Sequence, residues 1–145
     1  MVLNKVLFAQ KCVVYDKKSK KILILKRSDY KSNTANLWDF VGGSYDFGED
    51  SIDGLKREGV EELRINLNEI HTINYYALQA DKPDHTFIFG LSFCDDFEFE
   101  KKVPILSNEH TEFVWVDIDE LNDYEFVDSI KRCKDKIKPF IERFY

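Results

Sequence analysis

The sequence predicts an α+β fold, and three features carry the prediction. Ile22-Leu23-Ile24-Leu25 is apolar on both faces, as in a strand buried within a sheet. Residues 50 to 63 repeat their apolar positions at helical period. Ile130, Cys133, Ile137, Phe140 and Ile141 repeat at helical spacing as well, near the end of the chain.

The elements follow in order. Val2 to Tyr15 and Lys21 to Arg27 read as two strands joined by a turn, Asp-Lys-Lys-Ser-Lys at 16 to 20. A polar loop follows from Ser28 to Asn36. Leu37 to Val41 is a short strand running into Gly42-Gly43. The central helix spans about 50–63, with Asp50 or Ser51 as N-cap, since either side chain can accept a free first-turn amide. Ile65 to Gln79 forms one or two strands, and His85 to Phe97 and Thr111 to Val116 form others. The C-terminal helix spans about 128–144, and Pro139 is the point where it kinks or divides. No repeat, low-complexity tract or linker interrupts the chain, so residues 1–145 are expected to form one domain.

Composition excludes several classes. With 43% hydrophobic and 33% charged residues the chain reads as globular, and no apolar run reaches the ~20 residues of a membrane span. The start, Met1-Val-Leu-Asn-Lys, lacks the layout of a signal peptide. Cys12, Cys94 and Cys133 fit neither a disulfide framework nor a zinc site. They read as reduced packing thiols in a cytoplasmic protein. The net charge of −6 argues against a broad nucleic-acid surface. It does not argue against a small phosphate-bearing partner, because bound divalent cations can supply positive charge.

The central helix carries the chemistry. At about 100° per residue, Ile52, Leu55 and Leu63 share a sector of roughly 80° with Gly59 between them. Glu58, Glu61 and Glu62 occupy a separate sector of about 100°. Like charges at these spacings repel by a few tenths of a kcal/mol per pair. A hard divalent cation would offset that, and a solvated acidic face is the other reading. The surroundings favour the cation. Gly42-Gly43 lets backbone approach a ligand closely, and Arg57 can fork onto the Glu49 carboxylate, fixing loop against helix.

The run from Gly43 through Glu49, Arg57-Glu58 and Glu61-Glu62 to Ile65 resembles the Nudix box. Leu-Trp-Asp-Phe-Val-Gly-Gly before it and Phe-Val-Trp-Val-Asp-Ile-Asp-Glu-Leu at 113 to 121 resemble the family's flanking strands, so the likeness covers most of the chain. Gly59 stands at a usually apolar position, Arg64 at a usual glycine, and Val41 where many members have proline. These departures touch packing and helix ending rather than any carboxylate.

The resemblance implies a mixed β-sheet between helices (an α/β/α sandwich) and a pyrophosphohydrolase that attacks phosphorus with water. It implies Mg²⁺, with Mn²⁺ as a substitute, bound by Glu58, Glu61, Glu62 and the Gly42 carbonyl. Glu49 would pair with Arg57 or reach a metal through water. The base is a box glutamate, Glu58 or Glu61, or a late-loop acid, with Glu109 favoured over Glu112. His110 is a competing base, more readily taken as an exposed loop histidine. Arg27 is the candidate for substrate phosphates, with Lys26 on the opposite face. Gly43, Tyr45 and Phe47 are the remaining substrate candidates, the two aromatics as stacking partners for a base. His85, Phe87 and Phe89 read as sheet packing. With no accessory motif for ADP-ribose, NADH, coenzyme A or dinucleoside polyphosphates, the expected substrate is a nucleoside or deoxynucleoside triphosphate. A nucleotide sensor of the same fold, or a hydrolase of ADP-ribose or dinucleoside polyphosphate, is the alternative. The protein is expected to be a monomer or homodimer.

Overall fold

The computed structural model describes residues 5–28, 34–46, 48–79, 84–95 and 101–145. The long first strand, β1 (Lys5–Asp16), organises the sheet. It runs parallel to β6 (His85–Cys94) from Lys5 to Val14, and β6 pairs antiparallel with β5 (Ile70–Gln79). Its last residues, Tyr15 and Asp16, pair with β2 (Lys21–Arg27) across the expected turn, where Lys20 adopts φ 60. β2 in turn pairs with β3 (Trp38–Asp39) and with β7 (His110–Asp117). The sheet is therefore mixed.

The expected strand from Leu37 to Val41 is two strands. β3 joins β2, whereas β4 (Val41–Ser44) crosses over to pair with β1 from Ala9 to Cys12. Phe40 stands between them, its amide donating to its neighbour Asp39 Oδ1 at 2.8 Å, and its ring is fully buried. A local bend therefore replaces a ladder bond, and the chain changes partners there.

Two apolar layers flank the sheet. On one side Leu55 and Leu63 of α1 (Ser51–Leu63) pack with Cys12, Val14, Leu23, Leu25, Ile65 and Leu67. On the other, Val13, Tyr15, Ile22 and Ile24 pack with Phe126, Ile130, Cys133 and Ile137. Alternation along β1 and β2 sends successive side chains to opposite layers. The result is the helix–sheet–helix arrangement expected of the fold.

Asp50 caps α1, its side chain accepting the Asp53 amide, and the helix ends at Arg64 with φ 58 and ψ 32. Arginine takes the left-handed cap that glycine would adopt more cheaply. Gly59 has a positive reason. A Cβ there would meet Leu67 Cγ at 2.7 Å and the Ile65 carbonyl at 2.9 Å. The segment after the helix folds back so tightly that the usual apolar side chain has no room.

The continuous C-terminal helix expected over 128–144 is broken. It consists of α2 (Asp128–Lys131), a 3-10 turn (Lys134–Lys136) and α3 (Ile137–Phe144). Pro139 is not the break. It lies in the first turn of α3, where a missing amide hydrogen costs nothing. No helix among the described residues is long and apolar enough to cross a membrane.

Candidate active site

The box helix does not present its three glutamates alike. Glu58 and Glu62, one turn apart, turn inward and are 9% and 3% exposed, whereas the Glu61 side chain is 57% exposed. The inward pair lies against β4. Glu62 Oε2 accepts the Gly42 amide at 2.8 Å. Gly43 lies so close to Glu58 that a Cβ would meet Oε1 at 2.7 Å. Gly42 has φ 139, and a Cβ there would strike the Gln10 carbonyl at 2.2 Å, so only glycine fits this bend.

Arg57 ties the helix to the preceding loop. Its Nε and Nη2 donate to the two Glu49 oxygens at 2.8 and 3.0 Å, while Nη1 reaches Glu58 at 3.1 Å and Glu61 at 3.0 Å. Nη2 also donates to the Ser44 carbonyl at 3.2 Å. The Arg57 hydrogen bond is the main reason the Glu49 carboxyl is held below its usual range, helped by the Asp46 amide. Both Glu49 oxygens are thus engaged with Arg57.

Glu58 and Glu62 open into a cleft of about 280 Å³. Gly42, Gly43 and Ser44 of β4 line it, with Ala9 and Lys11 of β1, Arg27 of β2 and Glu109 just before β7. Burial pushes Glu62 up to about 8, against the pull of Lys11 and of the Gly42 amide. Burial also raises Glu58, although Arg57 opposes it. Each carboxylate therefore lacks part of the positive charge its ionised form needs.

Arg27 lines the cleft but is committed on one side, Nη1 to Asp39 Oδ2 at 2.9 Å and Nε to Thr34 Oγ1 at 2.7 Å. Glu112 lies outside the cleft and pairs with Lys26 at 3.3 Å. Tyr45 sits beside Phe8, edge to face with ring centroids 5.9 Å apart. Together with Val6, Leu7, Asp46 and Phe87 they line a second hollow of about 560 Å³, whose remaining residues, Ala9 and Ser44, also line the carboxylate cleft. Phe47 lies outside the described residues.

Two residues depart from the sequence reading. His110 is not an exposed loop residue: it opens β7 and is 4% exposed, with no hydrogen-bond partner on either ring nitrogen. Burial, and then the Lys11 charge, lowers it to about 4, so it is neutral at physiological pH. Lys11 belongs to no sequence motif. It is 8% exposed, and its Nζ lies 3.0 Å from Asp39 Oδ2 and donates to the Gly42 carbonyl at 3.1 Å. Burial opposes its charge, yet Asp39 and Glu62 outweigh burial and keep its pKa raised. A lysine just ahead of an apolar run was its only sequence signal.

Among the described residues no group of three or more His, Cys, Asp or Glu forms a metal cage. Among these carboxylates Glu61 points outward and Glu49 is gripped by Arg57. What remains, Glu58 and Glu62 as hard oxygen donors short of positive charge, suits Mg²⁺. That ion is commonly held by one or two carboxylates plus substrate phosphates and keeps several waters.

Solved structures share the fold at low identity. The MutT protein of Methanosarcina mazei superposes with a TM-score of 0.77 at 19% identity, covering 99% of this chain and 98% of that one. The Escherichia coli ORF135 protein does so at 0.79 and 18%, covering 97% and 94%. A Caenorhabditis elegans Ap4A hydrolase gives 0.69 and 20%, covering 95% and 99%. No curated protein sequence matches the chain. The sequence profile of the NUDIX domain, however, matches residues 8–137. With that profile spanning nearly all of it, the chain belongs to the Nudix hydrolase family.

Proposed function

We propose that the chain, acting as one domain, hydrolyses a nucleoside or deoxynucleoside triphosphate to a nucleotide monophosphate and pyrophosphate in the presence of Mg²⁺. The observation that carries this reading is that two neighbouring hollows share Ala9 and Ser44 in their linings. One is a charged cleft with two inward glutamates, the other an aromatic hollow edged by Phe8, Tyr45 and Phe87. A nucleoside triphosphate, with a polyphosphate and a nucleobase at opposite ends of its sugar, has that same division between charged and aromatic parts.

In this reading Glu58 and Glu62 would hold the divalent ion, and Glu61 would be a further carboxylate near it. The ion supplies charge neutralisation for the diphosphate and acidification of the attacking water. Glu109, in the same lining, would serve as general base toward an attacking water. Arg27 faces a substrate phosphate, and Arg57 acts by position, locking Glu49, Glu58 and the β4 backbone into one unit. Tyr45 stacks on the base. The buried thiols of Cys12, Cys94 and Cys133, none of them in a disulfide, support a cytoplasmic setting.

A panel of nucleoside triphosphates, ADP-ribose and dinucleoside polyphosphates, assayed with and without Mg²⁺ beside Glu62→Gln, tests the proposal. Metal-dependent release of pyrophosphate from a triphosphate, lost in the variant, is expected. Metal-dependent turnover confined to ADP-ribose or a dinucleoside polyphosphate would overturn the substrate assignment. Tight binding of Mg²⁺-nucleotide without turnover of any compound would overturn hydrolysis in favour of a sensor.

A further inference from the structure

Asp39 is shared by two cations. Its Oδ2 is 2.9 Å from Arg27 Nη1 and also 3.0 Å from Lys11 Nζ, so two cations share one carboxylate, itself 1% exposed. A lysine this deeply placed is unfavourable unless other groups compensate its charge. Lys11 also lines the cleft, together with Glu58 and Glu62. The β1–β4 pairing puts Lys11 directly opposite Gly42, and its Nζ reaches the Gly42 carbonyl at 3.1 Å.

We propose that Lys11 is a built-in cation of the phosphate cleft, holding the Gly42 carbonyl oxygen and weakening the hold of Glu58 and Glu62 on a divalent ion. The inference rests on the reading of those two glutamates as the ion's ligands. An ion near the Gly42 oxygen would sit beside an ammonium and be repelled by it. Part of the positive charge at the diphosphate is thereby supplied by the chain itself. Lys11 is a positioning residue in this scheme, acting through the carbonyl and the charge of the cleft.

The test is a Mn²⁺ titration of the full, substrate-free chain, with free Mn²⁺ read by electron paramagnetic resonance. Lys11→Met is expected to bind Mn²⁺ at least about tenfold tighter than the parent. Lys11→Arg, which keeps the charge, is expected to restore the parent affinity. Circular dichroism establishes that each variant is folded, and Lys11→Gln replaces the methionine variant if that one is not. A folded neutral variant with unchanged or weaker Mn²⁺ affinity overturns the inference, as does absence of Mn²⁺ binding by both parent and variant. Glu62→Gln, titrated alongside, separates the two readings. If it binds Mn²⁺ as the parent does, the assignment of the glutamates as ligands fails, whatever Lys11 does.

Discussion

Arg57 grips Glu49 from both sides, Nε on one carboxylate oxygen at 2.8 Å and Nη2 on the other at 3.0 Å, while Nη1 of the same guanidinium holds Glu58 at 3.1 Å. One side chain thus sets the loop before the helix and a carboxylate on it. Lysine carries the charge but not the planar fork. Arg57→Lys is expected to lower kcat about 10- to 100-fold, the range seen when the partner of a metal ligand is lost. Steady-state kinetics at saturating Mg²⁺ check this, and a change under twofold would remove Arg57 from the machinery.

The buried Glu62 carboxyl makes a pH prediction for the metal-free protein. Its folded pKa, about 8, lies above the unfolded value near 4.5, so the native state binds the proton more tightly. The stability this gives is full below pH 4.5 and is lost as pH rises through about 8. Urea unfolding without metal should therefore show stability falling by on the order of a few kcal/mol across that window. Glu62→Gln should flatten the Glu62 part of the profile, and a parent-like slope in the variant would refute the assignment.

Glu109 and Glu112 differ in one respect that matters. Glu109 lines the cleft, and Glu112 pairs with Lys26 away from it. Glu109→Gln is expected to cost on the order of 10²- to 10⁴-fold in kcat, the usual contribution of a general base. Glu112→Gln should stay within about threefold. Equal losses in the two would exclude a special role for Glu109.

The two departures from the box predict opposite stability changes. Arg64→Gly relieves a left-handed residue and should stabilise the fold by about 0.5–1 kcal/mol, after the entropy that glycine returns to the unfolded chain. Gly59→Val restores the apolar residue common at that position, yet its side chain would meet Leu67 and the Ile65 carbonyl. It should destabilise by about 1–3 kcal/mol. Thermal melts decide both, and a stabilising valine would mean that the 65–67 segment moves away freely.

What was legible in the sequence was local, or carried by a pattern. The Asp50 cap, the inner strand at Ile22–Leu25 and the Arg57–Glu49 fork each involve residues near one another in the chain, where spacing fixes geometry. The burial of Lys11 depends on the β1–β4 register, which joins residues 31 apart, and no spacing rule reaches that far. His110 looked exposed because its loop is polar, but β7 begins one residue earlier than expected and carries it inside. Pro139 suggested a break because proline interrupts helix interiors. The real interruption, from Arg132 to Lys136, leaves proline in a first turn where it is harmless. The two-way division of the glutamates escaped the helical projection, which orders side chains by angle but does not show where the sheet ends.

The bonds that close the cleft are long-range: Glu62 to Gly42 spans 20 residues, Lys11 to Gly42 31, and Gln10 to Ser51 41. Nothing in the helix alone reproduces them. A partly unfolded form in which β4 has come away from β1 keeps α1 intact, with its cap and its internal hydrogen bonds. It nevertheless leaves the Gly42 carbonyl without Lys11 and parts the β1 wall of the cleft from its β4 wall. Inactivation on gentle heating or in dilute denaturant should therefore run ahead of the loss of helical signal, because the chemistry resides in a seam between elements that opens before either element melts.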